Sequence, residues 1–167
     1  MTSDRKLETP KVRDILNKKV IALTPDFTIL DAIQALNKYR ISTAPVVNAL
    51  NEVIGYLSEG DCIKSVTNSL YYDQSMGKNI DTIMSTKVAY AEEEWDIFEL
   101  EVFFESRCLR SVPVVDSENH LVGVVTRRDV LIALVECADG RETYKKLIKT
   151  PVELNTQERI SIIIERY

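Results

Sequence analysis

The chain has 167 residues, a formal net charge of −5 and a pI of about 5.0, which argues against a general nucleic-acid binder carrying a basic balance and clustered Lys and Arg. An apolar content of 45% beside 28% charged residues fits an ordinary globular protein, either one compact domain or two small intertwined repeats with length enough for a core. No apolar run approaches the eighteen or so residues of a membrane helix, and the polar stretch from Met1 to Pro10 does not read as a signal peptide.

Cys62, Cys108 and Cys137 are odd in number and widely spaced, fit no disulfide or zinc pattern, and read as reduced, mostly buried thiols in a cytoplasm.

Taken in order, residues 1–10 read as an N-terminal arm, and Lys11 to Lys18 as a short helical turn with Val12, Ile15 and Leu16 on one side. Val20 to Leu23 reads as a short strand, closed by the turn Thr24-Pro25-Asp26. A helix is expected from near Thr28 to Tyr39-Arg40, because Ile29, Ile33 and Leu36 recur at helical spacing. Ala44 to Val47 and Val53 to Leu57 read as a hairpin turning at Asn48 to Asn51, and Ser58 opens a helix through Ile63 and Val66.

The polar stretch 67–79, with its Tyr71-Tyr72 pair, reads as a linker. The same plan then returns: a short helix ending at Ile83-Met84, a strand at Val88 to Tyr90, and a helix over about Trp95 to Arg107. Paired strands Val112 to Val115 and Leu121 to Val125 follow, and Thr126 opens a helix through Val135. The segment 138–167 is expected to be a partly helical tail: helix over Glu142 to Lys149, a stop at Pro151, and an apolar end at Ile160, Ile162, Ile163 and Ile164 that packs on the body or on a second subunit.

The repetition is in register. At an offset of 68 residues Pro45 answers Pro113, Val46-Val47 answers Val114-Val115, and Asn51 answers Asn119. Ile29 answers Ile97, Lys19-Val20 answers Lys87-Val88, and Ile15 answers Ile83, without a gap from about 14–63 to about 82–131. Two repeats, 11–66 and 80–137, are implied, each running strand, helix, strand, strand, helix. The expected fold class is α/β (α+β): two small three-stranded sheets, each with helices on one face, packed as a pseudo-twofold pair.

The most informative stretch is Gly123-Val124-Val125-Thr126-Arg127-Arg128-Asp129, answered by Gly55-Tyr56-Leu57-Ser58-Glu59-Gly60-Asp61. The hydroxyl residue marks the change from strand to helix, since Ser and Thr are good N-caps, and the glycine lets a backbone or a ligand come close. A strand feeding a helix N-terminus, with free amides and a carboxylate three residues on, suits a nucleotide. Ser or Thr followed three residues later by an acid is also close to a capping box, which needs no ligand.

These residues resemble the CBS (cystathionine β-synthase-type) domain. The resemblance is carried by Ile80 to Thr86, Leu109 to Asp116 and Gly123 to Asp129 in the second repeat, and by Ile41 to Val47 and Gly55 to Asp61 in the first, within about residues 11–137. It implies a stand-alone Bateman module, usually a homodimer, that binds an adenosyl compound such as AMP, ADP, ATP or S-adenosylmethionine and needs no cofactor.

By the same resemblance Asp61 and Asp129 would take the ribose hydroxyls, a carboxylate being able to accept two hydrogen bonds from a cis-diol. Ser58 and Thr126, with their helix N-termini, would face a phosphate. Val20-Ile21-Ala22 and Val88-Ala89-Tyr90 would line the adenine with backbone groups. Thr43-Ala44-Pro45 and Ser111-Val112-Pro113 would close an apolar wall on the base.

The two candidate sites differ. Arg127 and Arg128, with Arg110 nearby in sequence, suit a phosphate, whereas the first site has Glu59 and Gly60 at the helix start and would repel one. The second site is expected to hold the phosphorylated nucleotide, and the first a weaker or less charged ligand or none. Arg127 and Arg128 also admit a reading as solvated residues, although basic side chains do not suit a helix start.

Elsewhere, His120 reads as an exposed turn residue, and Glu92-Glu93-Glu94 as a solvated turn before a helix. Trp95, Phe98, Phe103 and Phe104 read as core or dimer interface. No phosphate-binding loop, dinucleotide fingerprint or metal-ligand cluster is present in the sequence, and no enzyme is expected. The partners implied are an adenosyl ligand, a second copy of the chain and an effector protein; a membrane is not among them, and the acidic balance disfavours a nucleic acid. Two competing functions are a structural or dimerisation module with empty clefts and an S-adenosylmethionine-binding regulator.

Overall fold

The computed structural model describes residues 9–72 and 77–139. The first repeat contains α1 (Val12–Ile15), α2 (Ile29–Tyr39), β1 (Thr43–Val47), β2 (Val53–Ser58) and α3 (Glu59–Tyr71). A 3-10 turn at Ile80–Thr82 leads into β3 (Ala91–Glu92), α4 (Ile97–Arg107), β4 (Ser111–Val115), β5 (Leu121–Thr126) and α5 (Arg127–Asp139).

Helix starts follow the capping chemistry. Thr28 Oγ1 accepts from Asp31 N, and Asp96 closes a capping box with Glu99. The helices α2 and α4 end at equivalent residues, Arg40 and Cys108, both in the left-handed region with φ of 51° and 52°. The hairpin loops also match: Asn51 and Asn119 take φ of 63° and 66°, a conformation asparagine tolerates.

Each hairpin is antiparallel with a register shift one residue from the end of its first strand. The strands expected at Val20 to Leu23 and Val88 to Tyr90 are displaced and shortened. In the second repeat the parallel partner of β4 is Ala91–Glu92, giving the order β3-β4-β5. In the first repeat only Leu23, the equivalent of Ala91, pairs with Val46, so the third strand shrinks to one bridge. Helix α3 runs to Tyr71, five residues into the stretch read as linker. Ala138 and Asp139 belong to α5. The helix expected at 142–149 and the apolar end at 160–164 lie outside the described residues.

Each repeat has its own core. Leu23, Ile29, Leu36, Val46, Leu57 and Ile80 fill the first; Val12, Ala91, Leu100, Phe104, Val114 and Val125 fill the second. A third cluster, with Val47, Val53, Val115 and Ala22 buried and Leu121 and Val88 packed on it, joins the two.

Ile80 sits in the first core and Val12 in the second, which exposes an exchange. The leading segment of each repeat packs on the other repeat. Val12 N donates to Trp95 O and Ile97 N to Pro10 O; at the equivalent positions Ile80 N donates to Phe27 O and Ile29 N to Lys78 O. Asn17 and Val124 exchange both backbone hydrogen bonds at 2.9 and 3.0 Å, and Ser85 and Tyr56 exchange theirs at 2.9 Å.

The glycines of the repeated motif serve this exchange. A Cβ on Gly123 would lie 2.1 Å from Leu16 Cδ1 and 3.0 Å from Asn17 O, and one on Gly55 would lie 2.4 Å from Met84 Sδ. On the pseudo-twofold axis Val53 N donates to Asn119 O and Leu121 N to Asn51 O, with Glu52 facing His120.

Candidate functional site

The exchange sets the leading segment of each repeat beside the strand-to-helix motif of the other, so each candidate cleft draws on both repeats. One cleft has Thr126 and Asp129 at the end of β5, with Asn17 bridged to that strand and leading into Val20-Ile21-Ala22. The other has Ser58 and Asp61 at the end of β2, with Ser85 bridged to it and leading into Val88-Ala89-Tyr90.

The carboxylates are held alike. Asp129 Oδ2 accepts from Thr126 N at 2.8 Å and Thr126 Oγ1 at 2.7 Å, and Asp129 N donates to Thr126 Oγ1 at 3.3 Å. Asp61 Oδ2 accepts from Ser58 N at 2.9 Å and Ser58 Oγ at 2.6 Å, and Asp61 N donates to Ser58 Oγ at 3.2 Å. These are complete capping boxes. In each only Oδ2 is engaged among the described residues, leaving Oδ1 to accept from a diol.

The amides are partly spoken for. Arg127 N donates to Arg110 O at 3.0 Å and Glu59 N to Ser42 O at 2.9 Å. With the hydroxyl-capped amides of Asp129 and Asp61 also occupied, each helix start offers the second-position amide, that of Arg128 or Gly60.

The arginines distinguish the clefts. Arg110, Arg127 and Arg128 are exposed and make no ion pair among the described residues. Arg127 Nη2 donates to Phe104 O at 3.3 Å, tying α5 to the last turns of α4. The equivalent positions in the first repeat are Ser42, Glu59 and Gly60.

The base-wall residues sit differently from one another. Ala44 and Val112 are buried in the two separate cores, so their side chains are packing, and only their backbones remain for a base. Pro45 and Pro113 are buried within β1 and β4. Thr43 Oγ1 and Ser111 Oγ meet across the axis at 2.7 Å, and Tyr56, absent from the sequence-derived set, bonds to both. Ala22 is buried in the joining cluster, Val20, Ile21, Val88 and Ala89 are half-buried, and Tyr90 is exposed.

Two hollows, of about 600 and 630 Å³, lie at equivalent places between α3 and residues 78–83 and between α5 and residues 9–15. The smaller touches Asp61, but neither is lined by Thr126, Arg127 or Asp129.

Other expectations are revised. Of the three cysteines, expected to be mostly buried, only Cys62 is buried; Cys137 is half-buried, and Cys108, at the left-handed end of α4, is exposed. His120 is half-buried on the axis and bonds through Nδ1 to Asp116 Oδ2 at 3.2 Å. Burial pushes the Asp116 carboxyl up, but the amides of His120 and Glu118 and the His120 ring hold it below the usual carboxylate range. Glu94 is an ion-pair partner of Lys11 and Arg13 rather than a merely solvated turn residue, and these pairs fasten the exchanged first segment. Phe104 is core, Trp95 meets Phe103 edge-on at 5.1 Å, and Phe98 is exposed. Among the described residues no group of His, Cys, Asp and Glu could hold a metal ion, and no helix is long and apolar enough to cross a membrane.

Comparison with known proteins places this architecture. The chain is 32% identical over 122 residues to the inosine-5'-monophosphate dehydrogenase of Methanocaldococcus jannaschii, covering 72% of this chain and 23% of that enzyme. It superposes on the CBS domain pair of protein MJ0100, solved with 5'-methylthioadenosine and S-adenosyl-L-methionine, with a TM-score of 0.67 and 26% identity, over 76% of this chain and 97% of that one. The cytosolic domain of the Mg2+ channel MgtE, solved with ATP, superposes with a TM-score of 0.62 and 25% identity, over 72% of this chain and 47% of that one. The chain thus spans under a quarter of that dehydrogenase and about half of the MgtE domain. The CBS domain family model matches residues 12–68 and again 80–136, and the chain belongs to the CBS domain family as a tandem pair.

Proposed function

We propose that this CBS pair is a ligand-sensing module that binds an adenine nucleotide, AMP, ADP or ATP, in the cleft at Thr126 and Asp129. It reports occupancy to an effector protein through the arrangement of its homodimer in the cytoplasm, and no catalytic step is assigned to it. The observation that carries this reading is Asp129, whose Oδ2 is fixed by Thr126 while Oδ1 accepts no bond among the described residues, beside three arginines that make no ion pair among them. A fixed carboxylate suits a ribose diol, and guanidinium groups suit a phosphate. The adenosyl ligands of the MJ0100 pair and the ATP of the MgtE domain support the ligand class. A ligand shifts such a module only by the difference in its affinity for the two arrangements.

Two alternatives have support of their own. The MJ0100 ligands favour an S-adenosylmethionine regulator, and the completeness of both capping boxes favours a structural module with empty clefts. A thermal-shift panel with AMP, ADP, ATP, S-adenosylmethionine and inorganic phosphate separates the three. A ligand at 100 times its Kd stabilises by about 2.7 kcal/mol, a rise of several degrees in Tm. The expected result is a rise with an adenine nucleotide that Asp129→Asn abolishes and Asp61→Asn leaves in place. A rise with S-adenosylmethionine alone selects the first alternative, and no rise with any compound selects the second.

A further inference from the structure

The clefts also differ at a residue that motif spacing does not single out. Strand β2 presents Ile54, Tyr56 and Ser58 on its half-buried face, and β5 presents Val122, Val124 and Thr126. Two positions before the capping hydroxyl there is thus a tyrosine in one repeat and a valine in the other.

Tyr56 reaches the opposite repeat. Its hydroxyl shares hydrogen bonds with Ser111 Oγ at 3.0 Å and Thr43 Oγ1 at 3.1 Å, and those two share one at 2.7 Å. Each hydroxyl brings one proton, so the triangle supplies one proton to every edge, and its bonds reinforce one another. Burial pushes the Tyr56 hydroxyl pKa up, partly offset by the bonds to Ser111 and Thr43. Swinging the ring away would leave Thr43 and the buried Ser111 short of a partner, a cost the smaller Val124 never imposes on the other side.

We propose that Tyr56 decides which cleft accepts a ligand: its tethered ring fills the first cleft beside Ser58 and Asp61, and Val124 leaves the equivalent space open beside Thr126 and Asp129. This rests on reading the clefts as nucleotide sites and adds the residue that sets their selectivity. It acts independently of charge, since a ring excludes an uncharged purine as well as a phosphate.

Thiol labelling tests the steric claim without any nucleotide. Ser58→Cys and Thr126→Cys are made separately in a Cys108→Ser background, which removes the exposed native thiol. Their rates of reaction with a maleimide are compared with and without a change at the neighbouring strand residue, so that each cysteine serves as its own control for thiol pKa. Tyr56→Val should speed labelling of the cysteine at 58 about tenfold and leave that at 126 unchanged; Val124→Tyr should slow the cysteine at 126 by a similar factor. In calorimetry adenosine, which carries no phosphate for Glu59 to repel, should bind once per chain in the wild type and twice in the Tyr56→Val protein.

If neither substitution changes its neighbour's labelling rate, the proposal is wrong. The Val124→Tyr arm decides the matter should the Tyr56→Val protein not fold. The expected labelling shifts with no adenosine binding to either protein would sink the reading of the clefts as adenosyl sites and leave the steric assignment standing.

Discussion

The two repeats share one backbone plan and differ where a ligand would meet them. Their capping boxes agree to within 0.1 Å, with hydroxyl-to-carboxylate distances of 2.6 and 2.7 Å, and their helices end at equivalent left-handed residues. Against that sameness, Glu59 and Gly60 stand where the second repeat has Arg127 and Arg128, Ser42 where it has Arg110, and Tyr56 where it has Val124. Backbone hydrogen bonding tolerates almost any side chain, so duplication preserves the frame, while the exposed helix starts and the cleft face are free to diverge.

The two repeats should differ most in cost at their glycines. Gly123→Ala would drive a methyl group against Leu16 and the Asn17 carbonyl, and we expect a loss of about 1–3 kcal/mol in urea unfolding. Gly55→Ala meets only the Met84 side chain, an unbranched and adaptable group, and should cost clearly less. Equal losses would mean that the two exchanged segments are held with equal stiffness.

A smaller effect sharpens the role of Tyr56. A tyrosine whose pKa is raised on folding contributes stability that is fully present below its unfolded value, near 10, and is lost as pH rises through the higher folded value. Wild-type stability should therefore fall above about pH 10 more steeply than that of Tyr56→Phe, a difference readable by circular dichroism during alkaline titration. Val124 offers no such group, so the effect belongs to one cleft.

At the acid end the sign reverses: the depressed Asp116 carboxyl contributes stability that is present above the ordinary carboxylate range and lost as pH falls through its folded value. Asp116→Asn should flatten that branch of the stability profile. Least of all, Arg40→Gly and Cys108→Gly should each raise stability by about 0.5–1 kcal/mol, by equal amounts, because each relieves a side chain in the left-handed region at an equivalent helix end.

Much of the frame was legible because its signals are local. The offset that pairs Pro45 with Pro113, the hairpins around Asn51 and Asn119, and helix starts at Ser58 and Thr126 all follow from neighbouring residues. The family resemblance located the capping aspartates. Less legible were features set by distant partners. Val20 to Leu23 has the residues of a strand, yet only Leu23 comes within reach of Val46. Ala44 and Val112 look like wall residues in a motif, but strand alternation turns them into the cores.

The exchange of leading segments left one trace in the sequence: Leu16 and Met84 stand at the repeat offset, as do the glycines they cover. Tyr56 left none, since its importance depends on Ser111, 55 residues away.

That exchange also bears on what a repeat is. A cut between residues 72 and 77 would give two pieces, each carrying the segment that completes the other and lacking the one that completes itself. Neither piece would be a closed unit, yet two copies of the same piece would be, each lending its leading segment to its twin. Met84 would then lie over the partner's Gly123, where Leu16 lies now, and the approximate axis of this chain would become a true one. The tandem chain is in this sense a tethered dimer, and the tether is what lets its two clefts differ.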